Sequence, residues 1–528
     1  MKVAILGQPG SLARETRRQL ESRQHEIVTD AADCALYFPG SEGDLQEIVS
    51  SGRYSRLVLR SHAYAYGSNP KNPGMMEEGR MSLLPADAPE RRWLALESAA
   101  LNHVRTAAVR LTNVLDTGEN DLLVQHLANR GGLVLAGRDP AVQFISLADA
   151  ASALVAAAES SATGVFNAAG DGAIPLKKAL RAADARRIPM VKLLAPLLKK
   201  GASLDQFQDN WTVSSERAKS ELNWRPRQST TAALQEFLDK RGGAGGPLLE
   251  SYDDWGLDVD YIRAWRAWFW FLRNVYWRID HEGLEQIPST GRAMLVSNHR
   301  GFVPIDAVMH LSLIFTHRER IPRFLIIHSL LRLPFLCNFL TKLGGVVASE
   351  ENVAKLFAAE NLVGIFPEGI RGTFKPYKTT YQLNDFSKSS FAKLAIEHQA
   401  PVIPAAVVGH AEIFPIIGRI DSSLVTREFG WPYLPIAPLF PLAPIPIPVK
   451  WHVRVLPPVP FQGLQPADAE HPKIVREFSK HIQNLLQANI NDIRTRRKHF
   501  FWGKVLDGSR PEPPSILGCR SQTAGGTR

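Results

Sequence analysis

The chain has 528 residues, 45% hydrophobic and 22% charged, which excludes a low-complexity protein and calls for at least two folded cores. Its net charge of +10 suits anionic membranes, nucleic acid or acidic substrates and does not choose among them. Three cysteines, Cys34, Cys337 and Cys519, lie far apart, make no metal-ligand spacing and point to a reducing compartment without a disulfide framework.

Lys2 to Leu6 is apolar enough for a buried strand, and Gly7-Gln-Pro-Gly10-Ser-Leu-Ala13 opens a helical segment reaching about Ser22. The start reads as a strand and not as a signal peptide. Strand, Gly-rich turn and helix form a phosphate site, because a helix start offers free N–H groups and the positive end of a dipole. Asp30, after Glu26-Ile-Val28, reads either as an acceptor for a ribose hydroxyl or as an ordinary loop aspartate.

The spacing Gly7-x-x-Gly10-x-x-Ala13 resembles that of the short-chain dehydrogenase/reductase family. Arg56-Leu-Val-Leu-Arg-Ser-His-Ala-Tyr-Ala-Tyr-Gly67, Ala108 to Asn113, Gln143 to Asp149, Gly164 to Ala169 and Glu221 to Pro226 resemble elements of its epimerase/dehydratase branch. The resemblance covers residues 1–240 and implies a Rossmann-like parallel sheet with Gly7, Gly10, Ala13 and Asp30 at an NAD(P) site. The family's catalytic Tyr-x-x-x-Lys pair has no counterpart in Ala88 to Glu97, where Trp93 and Glu97 cannot replace it, and His62 stands where a hydroxyl is usual. The stretch from Val28 to Ala35 is too short for the strand on which adenine would rest. The module therefore reads as a degenerate fold that binds a nucleotide or a partner without oxidising a substrate.

Residues 241–250 form a Gly-rich linker, after which residues 251–505 make a second domain and 506–528 a disordered tail. Tyr261 to Ile279 interleaves Trp265, Trp268, Phe269, Trp270, Phe271, Tyr276 and Trp277 with Arg263, Arg266, Arg273 and Arg278. It is either an interfacial membrane segment, with rings at headgroup depth, or a helix packed on its own domain. Arg494 to Trp502 poses the same choice between a lipid surface and a solvated tail. No uninterrupted stretch of about 18 apolar residues predicts a spanning helix; prolines break Leu434 to Val449.

Met294 to Val296 predicts a short buried strand ending at Ser297-Asn298-His299, with a loop through Arg300, Gly301 and Pro304 before a helical run from Ala307 to Phe315. Asp306 reads either as the helix N-cap or as the carboxylate that orients His299 as a general base. Leu362 to Phe366 predicts a second buried strand, ending at Pro367-Glu368-Gly369 and followed by Arg371 and Lys375. Phe324 to Leu343 is a further apolar, basic segment that frames an acyl-chain tunnel or belongs to the core.

Together the Asn298-His299…Asp306 and Phe366-Pro-Glu-Gly369 blocks resemble the glycerolipid acyltransferases, in particular the monoacylglycerol and diacylglycerol acyltransferase-like branch. Gly283 to Pro288, Gly345 to Asn352 and Ala400 to Gly409 extend the resemblance in the right order. The loop between His299 and Asp306 is longer than the family's commonest spacing. The resemblance implies an α/β domain that moves an acyl group from coenzyme A or acyl carrier protein to a glycerolipid-type alcohol, with no cofactor, metal or nucleic acid. His299 and Asp306 would be catalytic, with Glu368, Gly369 and Arg371 binding the acceptor; Arg371 would hold a phosphate or lie at the surface. The expected place is cytoplasmic, peripheral on an anionic membrane. The rival reading is a nucleotide-dependent reductase or epimerase with a lipid-docking second domain.

Overall fold

The computed structural model describes all residues except 40–41, 73, 103–104, 120, 191–203, 243–247, 249–251, 254, 302–303, 387–389, 439–444, 462 and 507–528. Most of the Gly-rich linker and the C-terminal tail thus lie outside the described residues. The chain forms two compact units, Met1–Val259 with Ile326–Ser349, and Asp260–Leu325 with Glu350–Arg528. Both are α/β.

In the first unit, β1 (Lys2–Gly7), α1 (Ser11–Ser22) and β2 (Glu26–Val28) are followed by β3 (Cys34–Phe38) and β4 (Leu57–His62). Then come α2 (Arg92–Leu101), β5 (Thr106–Leu111), α3 (Leu147–Glu159) and β6 (Gly164–Ala168). The six strands pair in the order β6-β5-β4-β3-β1-β2, every neighbour parallel. Period-two alternation sends Val3, Leu36, Val58 and Val109 to one face, against Leu12 and Leu20 of α1 and Leu154 of α3. Ala4, Tyr37, Leu59 and Ala108 face the opposite layer, with Trp93 and Leu96 of α2. Both faces of the sheet are therefore covered, as a parallel sheet requires. The sheet ends at β2, as the short Val28 to Ala35 stretch predicts. Gly7 lies beside β3, where an added Cβ would meet the Phe38 carbonyl oxygen at 1.9 Å, so only glycine fits.

Residues 326–349 belong to the first unit by contact although acyltransferase-like sequence surrounds them. Ile326, Leu331, Cys337 and Leu340 make a small core of their own. The Phe335 N–H donates to the Gly137 carbonyl at 2.8 Å, and Arg138 Nη1 to the Leu331 carbonyl at 2.8 Å.

The second unit is built on β7 (Asp280–Glu282), β8 (Ala293–Ser297), α4 (Ile305–Arg318), β9 (Arg323–Ile326) and β10 (Leu362–Ile365). After these come α5 (Gly369–Thr373), β11 (Val402–Val408), β12 (His452–Val455) and α6 (Pro472–Arg496). Six of the seven strands of its sheet run in the order β7-β12-β11-β8-β10-β9, parallel except for the β11–β12 pair. β8 is central and fully buried, which explains its unbroken apolar run. α6 is the longest helix among the described residues, from Pro472 to Arg496. Its apolar stripe, Phe478, Ile482, Leu486, Ile490 and Ile493, continues at helical spacing, and burial of that stripe carries the helix to Arg496.

The aromatic segment is not one helix. It divides into Val259–Ala264, Arg266–Phe271 and a π-helical turn, Leu272–Tyr276. Phe269 and Trp277 are buried, whereas Trp268 is 51% exposed. Arg273 is also buried, and its Nη1 donates to the Ser312 carbonyl and the Thr316 hydroxyl. Among the described residues no helix is long and apolar enough to cross a membrane.

Candidate active site

The two motif blocks meet because their strands are neighbours. Val296 on β8 lies opposite Ile365 on β10, so both chains leave the sheet at the same edge. His299 and Phe366 follow at once and stack, with centroids 4.4 Å apart and ring planes 22° from parallel. Phe324 stacks on Phe366 in turn, at 5.3 Å. The imidazole thus has one apolar face and stays partly open, with its side chain 15% exposed.

Asp306 is not the N-cap of α4. Pro304 holds that place without a side-chain hydrogen bond, and Asp306 lies inside the first turn. Its carboxylate is 1% exposed and fully engaged. Oδ2 accepts from His299 Nδ1 at 2.7 Å and from the Arg300 N–H at 3.2 Å, while Oδ1 accepts from the Ala307 N–H at 2.9 Å. The longer loop therefore still closes the His299–Asp306 pair. Burial pushes the Asp306 carboxyl up, but the charge and hydrogen bond of His299, with His410 and the Arg300 N–H, hold it below the usual aspartate value. His299 Nδ1 is engaged by Asp306, and Nε2 has no partner among the described residues.

Behind the pair lies a buried polar layer whose two histidines the sequence reading missed. Asn298 braces β11 in both directions, Nδ2 donating to the Val407 carbonyl at 2.9 Å and Oδ1 accepting from the Val407 N–H at 2.8 Å. Ser297 Oγ donates to the Ala405 carbonyl and meets His310 Nε2 at 3.1 Å. His410 Nε2 faces Asn298 Nδ2 at 3.4 Å, and His410 Nδ1 has no partner among the described residues. Burial pushes the His310 imidazole down to about 4 and the His410 imidazole down to about 3, so both are neutral. The one visible signal for His310 was its position one helical turn after Asp306 on the same face. His410 follows the end of a distant strand and left no signal.

The second block is set by ion pairs. Glu368 is buried, and its Oε1 accepts from Lys375 Nζ and from the Asn384 N–H at 2.9 Å. Gly369 takes a positive φ of 51° to start α5, and its N–H is already given to the Phe366 carbonyl at 3.0 Å. Arg300 is buried as well. Its Nε donates to the Thr380 carbonyl at 3.0 Å and its Nη1 to the Gly372 carbonyl, so it ties the first block to the loop after the second. Burial lowers its guanidinium to about 10, against the nearby Glu368 charge. Arg371, one turn from Glu368, points into solvent.

In the first unit Gly7 and Gly10 stand in the turn after β1, and Gly10 lines the crevice beside β3, the point where the strand order reverses, whereas Ala13 is buried in the core. Asp30 does not join them: its side chain is 83% exposed and pairs loosely with Arg53 at 3.7 Å. Among the described residues no cluster of His, Cys, Asp or Glu has the makings of a metal site.

Residues 278–408, which hold the whole His299–Asp306 and Glu368 constellation, match the family model described as Acyltransferase. An uncharacterized protein of Mycobacterium leprae is 32% identical over 304 residues, covering 56% of this chain and 79% of its own. The chain belongs to the acyltransferase family. An uncharacterized protein of Mycobacterium tuberculosis H37Rv is 31% identical over 283 residues, 52% of this chain and 76% of its own. The human DGAT1/2-independent enzyme synthesizing storage lipids is 26% identical over 235 residues, 44% of this chain and 67% of its own. Among solved structures, UDP-N-acetylglucosamine 4-epimerase from Bacillus cereus aligns with 46% of this chain and 100% of its own, at 15% identity and a TM-score of 0.35.

The buried neutral histidines of this acyltransferase make its stability depend on pH. Their folded values, about 4 and about 3, lie below the ordinary 6.5, so unfolding takes up protons below pH 6.5. Stability should therefore rise with pH from about 4 to 6.5 and level off above. Melting temperature measured across pH 4–7 should show this rise, and His310→Gln should reduce its slope by one proton's share. An unchanged slope in the variant would contradict the buried neutral state.

Proposed function

We propose that the chain transfers a fatty acyl group from a thioester, on coenzyme A or acyl carrier protein, to a glycerolipid-type alcohol, with His299 as general base. The observation that carries this reading is the 2.7 Å contact between His299 Nδ1 and a carboxylate buried beneath it. His299 Nε2 takes the proton of the acceptor hydroxyl as its oxygen attacks the thioester carbonyl. The tetrahedral intermediate collapses, the C–S bond breaks, and the thiolate takes the proton back from the imidazolium, giving ester and free thiol. Asp306 stabilises the imidazolium in between, as the aspartate of a serine protease does, but no covalent acyl-enzyme is needed. Glu368 Oε2, unlike Oε1, has no partner among the described residues and is the group offered to the acceptor. Gly369 shapes the turn, and exposed Arg371 supplies a planar fork for an acceptor phosphate. The human relative, an enzyme synthesizing storage lipids, agrees with a lipid acceptor.

Thiol release from palmitoyl coenzyme A would be followed with lysophosphatidate, glycerol 3-phosphate and monoacylglycerol as acceptors. His299→Ala should lower turnover by about 10²–10⁴-fold. Asp306→Asn should also cost orders of magnitude, because an amide cannot support the imidazolium. Wild-type rates in His299→Ala would sink the mechanism.

The same reading sets the chain at an anionic membrane surface. Arg278 donates to the Pro448 carbonyl at 2.6 Å and the Phe501 carbonyl at 3.0 Å, and so ties the aromatic segment to the C-terminal aromatics. Phe500, Trp502 and Trp268 are each more than half exposed, and Arg263, Arg266 and Lys498 are exposed with them. Each basic residue near such a surface contributes about 1 kcal/mol. Binding to phosphatidylserine vesicles should weaken with salt and fall in Trp268→Ala plus Trp502→Ala; equal, salt-independent binding to neutral vesicles would contradict it.

A further inference from the structure

A Rossmann-like sheet with a glycine turn at its switch point implies a dinucleotide, whose diphosphate would lie on the N–H groups opening α1. Here one of those donors is already taken. Glu119 Oε1 accepts from the Leu12 N–H at 3.2 Å and from Ser11 Oγ at 3.3 Å. Ser11 Oγ also donates to Asp116 Oδ1 at 2.6 Å, and the Gly118 N–H donates to the same oxygen at 2.7 Å, which folds the 116–119 turn over the helix start. The space that Gly10 leaves by lacking a side chain is filled: an added Cβ would lie 3.1 Å from Glu119 Oε1. Arg60 reaches Glu119 at 3.5 Å and lies over the Trp93 ring.

We propose that the first unit is closed to dinucleotides by its own chain, with Glu119 and Asp116 standing on α1 where a diphosphate would stand. A carboxylate there repels an incoming phosphate as a like charge and takes the Leu12 N–H from it. The rest of the crevice agrees. It is a cavity of about 690 Å³ lined by Gln8, Arg60, His62, Trp93, Glu119 and Asp121, among others, and Asp30 is not part of its wall. β2 is the edge of the sheet, so among the described residues no strand supports an adenine beyond it. In α2, Glu97 is committed to the core, with its two oxygens on Arg110 and one also on Ser61 Oγ at 2.6 Å. At the end of β4, His62 Nδ1 accepts from the Tyr64 N–H at 3.0 Å, and Nε2 faces Asp121 at 3.7 Å. The residues present do not fit NAD(P), and the unit's chemistry excludes hydride transfer through that site.

The test is calorimetric titration of the full-length protein with NAD+, NADH, NADP+ and ADP-ribose at low salt. Wild type should show no binding up to about 1 mM, a ceiling that marks the absence of a specific site. Asp116→Ala plus Glu119→Ala, which uncovers the helix start, should bind at least one of the four about tenfold more tightly or better. Glu119→Gln keeps the size of the side chain and removes its charge; it should show a gain of the same sign and decides the matter if the double variant fails to fold. Micromolar binding by the wild type would overturn the proposal. So would folded variants, with unchanged circular dichroism, that bind no better than wild type.

Discussion

The buried carboxylate of Asp306 is the constraint on which the second unit's site depends. A charge removed from water is costly unless it is paired and hydrogen-bonded. Asp306 meets that demand with an imidazole, one backbone N–H from the loop and one from its own helix. The same three bonds fix the ring of His299, its tautomer and the path of the loop from Arg300 to Asp306. The site's geometry and the stability of the buried charge are one requirement.

The sheet supplies the rest of the geometry. Adjacent parallel strands deliver His299 and Phe366 to one edge, and the stacked Phe324 and Phe366 rings exclude water from one face of the imidazole. Two neutral histidines and the Asn298 brace fill the layer beneath, so His299 is the one imidazole of the three that is partly exposed. Arg300 and Lys375 then fasten the loops of both motifs to each other through buried carbonyls and Glu368. Replacing either with a neutral residue would leave buried acceptors and a carboxylate unpaired.

Much of this was legible in the chain. Short apolar runs that end in Ser-Asn-His and in Pro-Glu-Gly mark buried parallel strands and their exits, because such strands carry apolar residues on both faces. The missing strand beyond β2 followed from counting residues between Val28 and Ala35. Other features were hidden for physical reasons. Asp306 resembled a cap because Asp is a good one, and only the turn geometry shows Pro304 in that position. Arg300 read only as part of a loop; in the structure it is buried and bonded to carbonyls about 80 residues away in sequence. Glu119 lies over 100 residues from the helix it covers, so a glycine turn that looked open is filled from far down the chain. The placement of residues 326–349 with the first unit is likewise a tertiary fact that local sequence does not encode.

The central claim is that Asp306 holds His299 with a proton on Nδ1 and a bare Nε2. Nitrogen-15 NMR of protein labelled at histidine, with His299→Gln to assign the resonance, measures this directly at neutral pH. The account predicts a protonated Nδ1 and an unprotonated Nε2 for His299, with that preference lost in Asp306→Asn. A proton found on Nε2, or a tautomer unchanged by Asp306→Asn, would contradict it.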